Sequence, residues 1–153
     1  MTRLTISIMT FMVLMYTACG DDAHDHDTHA DGHDGHSADT YSAGLTKTSD
    51  GGTYSMALTS DGGSIGQGDI ILTLIVTNTA DSSAAAGKEI GLAGTMVEHG
   101  HGTQLQPQVS ESSTPGTYNV TSLNLHMAGK WSLEFSITDA DSSEKVTYTF
   151  DVE

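Results

Sequence analysis

Two short segments of this chain carry side chains with the chemistry of soft metal ligands. Met96-Val97-Glu98-His99-Gly100-His101-Gly102 places two imidazoles on either side of a glycine, with a thioether just before them. His126-Met127 offers the same two donor types some 25 residues later. The glycines free the backbone, so both imidazoles of the first segment can turn toward one point. Thioether plus imidazole is a soft and borderline ligand set that suits copper, Cu(I) in particular, above Mg, Ca or Mn. Met96, His99, His101, His126 and Met127 are therefore the candidate ligands of a folded site. Both methionines also have the strand parity of core residues, which packing alone would explain. His126 has the opposite parity to Met127, so an undistorted strand cannot aim both at one ion.

A second set of donors lies near the N-terminus. Asp21 to His36 reads DDAHDHDTHADGHDGH, with His24, His26, His29, His33 and His36 among six aspartates. No apolar residue larger than alanine occurs there, so nothing offsets the entropy of ordering it, and a disordered tether is expected. Short His-rich tracts also collect Zn, Cu or Ni ions, and flanking carboxylates add charge attraction. Such affinity should fall below pH ~6.5, where imidazoles take up protons. Ser37 to Gly52 continues as Ser/Thr/Gly/Asp linker, so residues 19–52 as a whole are expected to be a linker.

The start of the chain reads as a leader. Met1-Thr2-Arg3 gives a single positive charge, and Leu4 to Tyr16 is an apolar run too short for a permanent span. Thr17-Ala18-Cys19-Gly20 resembles the lipobox of bacterial lipoproteins, with Tyr16 where Leu is usual. It implies a leader over residues 1–18 and acylation at Cys19, the only cysteine. Several acyl chains would hold the protein stably on a membrane. A lone Cys forms no internal disulfide, so the fold must stand without one. Gly20, where Asp would favour inner-membrane retention, tilts the address toward the outer membrane of the cell envelope, facing the periplasm. Five Lys and Arg against 20 Asp and Glu give a net charge of −15, which excludes nucleic acid as a partner and attracts cations.

From residue 53 to 153 the pattern changes to period two, the sign of the elements that must position the ligands. Tyr54, Met56 and Leu58 alternate with polar neighbours. Asp69 to Asn78 is nearly continuous and apolar, as in a central strand covered on both sides. Ile90, Leu92 and Met96 alternate through Gly94, and Leu105 to Val109 is short and interrupted by Pro107. Tyr118 and Val120 oppose the parity of Leu123, Leu125 and Met127, which a bulge near Thr121-Ser122 would reconcile. Trp131 to Ile137 and Val146 to Val152 alternate cleanly, with a turn over Asp139 to Ser143. Seven strands at this spacing predict an all-β, immunoglobulin-like antiparallel sandwich. A hairpin with a three-residue loop, Ala128 to Lys130, would pair Met127 with Trp131, Leu125 with Leu133 and Leu123 with Phe135, all facing the core.

The stretch from Met96 to Trp131 resembles the YtkA-like domain, a small exported or membrane-tethered bacterial domain related to FixH. The residues that carry the likeness are Met96, His99-Gly100-His101-Gly102, Pro107, Gly116-Thr117-Tyr118 and Met127-Ala128-Gly129-Lys130-Trp131. The resemblance spans roughly residues 50–153 and implies metal handling, with copper favoured by analogy to CopC-like sandwiches. Glu98 departs from the uncharged residue expected there and leaves room for zinc. No phosphate-binding loop, nucleophile elbow or HExxH motif occurs, so an enzyme is not expected. The sequence thus points to a lipid-anchored metal-binding protein that buffers copper or passes it to an envelope metalloprotein or efflux partner. The other reading is a non-enzymatic interaction module with a solvated tether.

Overall fold

The computed structural model describes residues 37–140 and 142–153. The leader over 1–18, Cys19 and the tail residues His24, His26, His29, His33 and His36 lie outside the described residues. The described residues form eight strands: β1 (Leu45–Thr48), β2 (Tyr54–Ser60), β3 (Gly68–Asn78), β4 (Glu89–Met96), β5 (Gln108–Glu111), β6 (Thr117–Leu125), β7 (Gly129–Asp139) and β8 (Ser142–Val152). They make a five-stranded sheet of order β1-β2-β3-β6-β5 and a three-stranded sheet of order β4-β7-β8, every pairing antiparallel. Both sheets send their apolar residues into one core, as in an immunoglobulin-like sandwich.

The alternation read from the sequence maps directly onto burial. Tyr54, Met56 and Leu58 on β2 are buried, as are Trp131, Leu133, Phe135 and Ile137 on β7 and Val146, Tyr148, Phe150 and Val152 on β8. The bulge falls where the parity switch requires it. Ile70 pairs with Leu123 and Leu72 with Val120, so Thr121 and Ser122 together oppose the single Ile71, with Ser122 at φ 60°.

Five expectations are corrected. The expected linker over 37–52 is part of the fold from residue 37 onward. Asp39 bonds with both backbone groups of Thr149, the half-buried Tyr41 packs edge-on against Phe150, and β1 pairs with β2. Sequence pattern missed this segment because its polar side chains work through hydrogen bonds rather than alternation. Lys47, for example, reaches Asp39, the Thr147 carbonyl and the face of the Tyr148 ring.

β3 is central but covered on one side only. Ile71 and Ile75 stay half exposed, because a two-layer sandwich offers no third layer to cover them. β5 starts after Pro107 rather than at Leu105, which is exposed, since the chain there is still crossing from one sheet to the other. The turn between β7 and β8 is tighter than residues 139–143, with pairing continuing to Asp139↔Ser142.

The fifth correction concerns the proposed hairpin. β6 pairs with β3 and β5, whereas β7 pairs with β4 and β8, so residues 126–128 form a corner between sheets. Leu123, Leu125, Leu133 and Phe135 do share the core, but from opposite walls. Parity fixes which way a side chain faces and is blind to which sheet carries it.

Candidate functional site

The histidine-rich loop is built on the end of β4. Met96 N–H donates to the His101 carbonyl (2.9 Å), and Gly100 N–H donates back to the Met96 carbonyl (2.8 Å). This closes a tight loop over 97–100, and Gly100 sits at φ 67°, a left-handed conformation that a residue with a Cβ adopts at a cost. The following residues run back along β4, where Thr95 bridges Gly102. Val97 N–H donates to the Lys130 carbonyl (2.8 Å), which ties the loop to the start of β7. The HGHG motif is thus a turn whose glycines let two imidazoles flank it. The rings of His99 and His101 lie nearly parallel, 13° apart in tilt and 5.9 Å between centres.

His126 arrives from the other sheet. β6 ends at Leu125, so His126 is released from the outward parity that a continued strand would impose. Gln67 donates to its carbonyl (2.9 Å) and holds the corner. The His126 ring comes within 5.6 Å of the His101 ring and 5.6 Å of the Trp131 ring, measured between centres. Trp131 is fully buried beneath both imidazoles and meets each edge-on, while its indole N–H donates to the Met127 carbonyl (2.9 Å). Three imidazoles from two sheets therefore gather over one indole.

The His126 Nδ1 is buried and has no hydrogen-bond partner, the one buried side-chain polar atom in that state among the described residues. An orphaned polar atom of this kind costs on the order of 1–3 kcal/mol. A partner at that atom, whether an acceptor for its proton or a metal ion on its lone pair, would remove that cost.

The methionines divide. Met96 is buried, and its terminal methyl fills the space that a Cβ on Gly129 would take. Gly129, at φ 134°, also leaves the Glu98 carboxylate 3.1 Å from that same point. Met127 is 40% exposed at the corner, because β6 stops before it, and so the core parity read from sequence does not apply to it. Gln67 shapes the site without having been legible beforehand, whereas Gly129 and Trp131 stood in the motif from Met127 to Trp131. The expected proximity of Met127 and Trp131 is realised through a backbone carbonyl rather than a strand pair.

Among the described residues no three His, Cys, Asp or Glu side chains are posed to hold one metal ion together. Pairs of imidazoles are a different matter. Two imidazoles on one ion at about 2.0–2.1 Å have ring centres separated by roughly 6 Å or less, given about 1.1 Å from nitrogen to ring centre. The His99–His101 and His101–His126 separations both fall within that limit. Each neighbouring pair of imidazoles thus meets the separation that a two-imidazole position requires.

Compared with known proteins, residues 48–136 match the YtkA-like family. Among solved structures, the chain is similar to FetP of a uropathogenic E. coli strain, crystallised as isolated after periplasmic expression. The identity is 14%, the overlap covers 72% of this chain and 94% of that one, and the TM-score is 0.44. No curated protein matches the chain.

Proposed function

This chain belongs to the YtkA-like family, and we propose that it is an extracytoplasmic, lipid-anchored protein that binds copper at the corner where β4 and β6 end. The observation that carries this reading is the buried, unpartnered His126 Nδ1 beside His101, in a cluster completed by His99 and floored by Trp131. His101 and His126 supply imidazole nitrogens, and Met96 or Met127 supplies a thioether, a set that favours Cu(I) with zinc as the harder alternative. Cys19 anchors the protein, and the histidines from His24 to His36 add weaker capacity for the same ions. The excess of acidic residues draws cations toward the surface. Buffering copper, or delivering it to an envelope metalloprotein or efflux system, is the role that follows.

A second reading draws on the apolar side chains exposed in the loops around this end. Val97, Leu105 and Met127 are each at least 40% exposed, and such a patch suits docking of a protein partner with no metal involved.

The two are separated by measuring copper retained after gel filtration by the full chain and two variants. One replaces the five tail histidines with Ala, and the other replaces His101 and His126. The metal reading expects about one tightly held copper to survive tail substitution and to vanish in the second variant. Equal retention by all three proteins would refute the site, and no retention by any would leave the docking reading.

A further inference from the structure

The three imidazoles differ in how far they sit from water. His99 is exposed, His101 is half-buried, and His126 is half-buried with an inward nitrogen shut off from solvent. They follow one another in a file, 5.9 Å and then 5.6 Å between ring centres, with Trp131 at its inner end touching His101 and His126. Among the described residues no three carboxylate, thiolate or imidazole groups are posed around one point, yet each neighbouring pair of these imidazoles lies within the separation that a shared ion permits.

Resting on the metal-binding reading above, we propose that the cluster is two overlapping two-imidazole positions that share His101, and that copper enters on the outer pair and is held on the inner one. His99 and His101 form the outer position, open to solvent at the tip of the β4 loop. His101 and His126 form the inner position, where the orphaned Nδ1 gains its partner. Moving between them requires His101 to keep its hold while His99 is exchanged for His126. The ion is then never released to water, and no change of oxidation state is needed: one metal–nitrogen bond forms as another breaks.

Local backbone supports the division. The outer ring rides on the tight loop closed around Gly100 and is the one imidazole of the three that is exposed. The inner ring is braced by Gln67 on its carbonyl and by the Trp131 bond to the next residue. A solvent-exposed donor is open to exchange, whereas a braced and desolvated one sets affinity. His99 is therefore a positioning ligand for entry and exit, and His126 fixes the resting state.

The experiment uses the full chain with Cu(I) as the probe and Trp131, its only tryptophan, as the reporter in stopped-flow fluorescence. Three variants are compared with the natural protein: His99→Ala, His101→Ala and His126→Ala. His99→Ala should slow loading, and unloading to a Cu(I) chelator, by roughly tenfold each, with affinity changed less than about threefold. His126→Ala should weaken affinity by a hundredfold or more and lose the slow phase assigned to inward transfer. His101→Ala should lose both. Circular dichroism of each variant separates a lost ligand from a lost fold, and His126→Gln, which keeps a polar side chain at the corner, serves if the alanine variant unfolds. If His99→Ala weakens affinity as much as His126→Ala, the three form one site and the proposal is overturned. If His126→Ala binds normally, the inner position does not exist. If the natural protein gives no saturable response at all, it is the metal-binding reading itself that fails.

Discussion

At the scale of single residues, the site depends on what two glycines leave out. Gly100 lets the chain turn between two histidines, and Gly129 leaves room for the Met96 methyl. Gly129→Ala should push the Met96 thioether out of place and strain a backbone at positive φ. Denaturant melts should show a loss of roughly 1–3 kcal/mol, with weaker Cu(I) binding in parallel. Met96→Leu keeps volume and should cost less than about 1.5 kcal/mol. If the thioether is a ligand, competition titrations will show Cu(I) affinity falling about tenfold while Zn(II) affinity holds; equal values for both ions would make Met96 a packing residue only. The pairing of His99 with His101 was legible in the sequence because a glycine between them has one evident use. The inward position of His126 was not, since it depends on β6 stopping at Leu125, two residues before the expected end at Met127.

At the scale of strands, sequence pattern located seven of the eight described ones: five by alternation, β3 by its apolar run and β5 by the short stretch around Pro107. It failed at the joins. Leu123 and Phe135 share the core whether they are neighbours in a hairpin or faces of opposite sheets, and only pairing distinguishes the two. β1 escaped notice because its contribution is polar. The carbonyls of Leu45 on β1 and Met56 on β2 both accept from the buried Tyr148 hydroxyl of β8, at 3.3 and 2.6 Å, stitching one sheet edge to the other. Burial pushes the Tyr148 phenol well above its ordinary value. Since the folded pKa is the higher one, this residue's contribution is intact below pH ~10 and fades as pH climbs beyond that, where only the unfolded chain's tyrosine ionises. Tyr148→Phe should lower stability at neutral pH by about 1 kcal/mol and flatten the alkaline decline. A decline of unchanged steepness in thermal melts between pH 9 and 11 would assign the effect elsewhere; Tyr118, raised by burial as well, is the next residue to examine.

The whole molecule joins a sandwich with a closed apolar core to one corner where three imidazoles gather over an indole. Trp131 belongs to both, packed in the core and touching His101 and His126 at its rim. The most direct test is therefore its fluorescence in the full chain at neutral pH, titrated with Cu(I), Cu(II) and Zn(II). The account expects saturable quenching by copper at one equivalent, unaffected when the tail histidines are replaced and absent in the His101→Ala/His126→Ala double variant. Quenching that survives in that double variant, or fluorescence indifferent to every metal, would contradict a copper site at this corner.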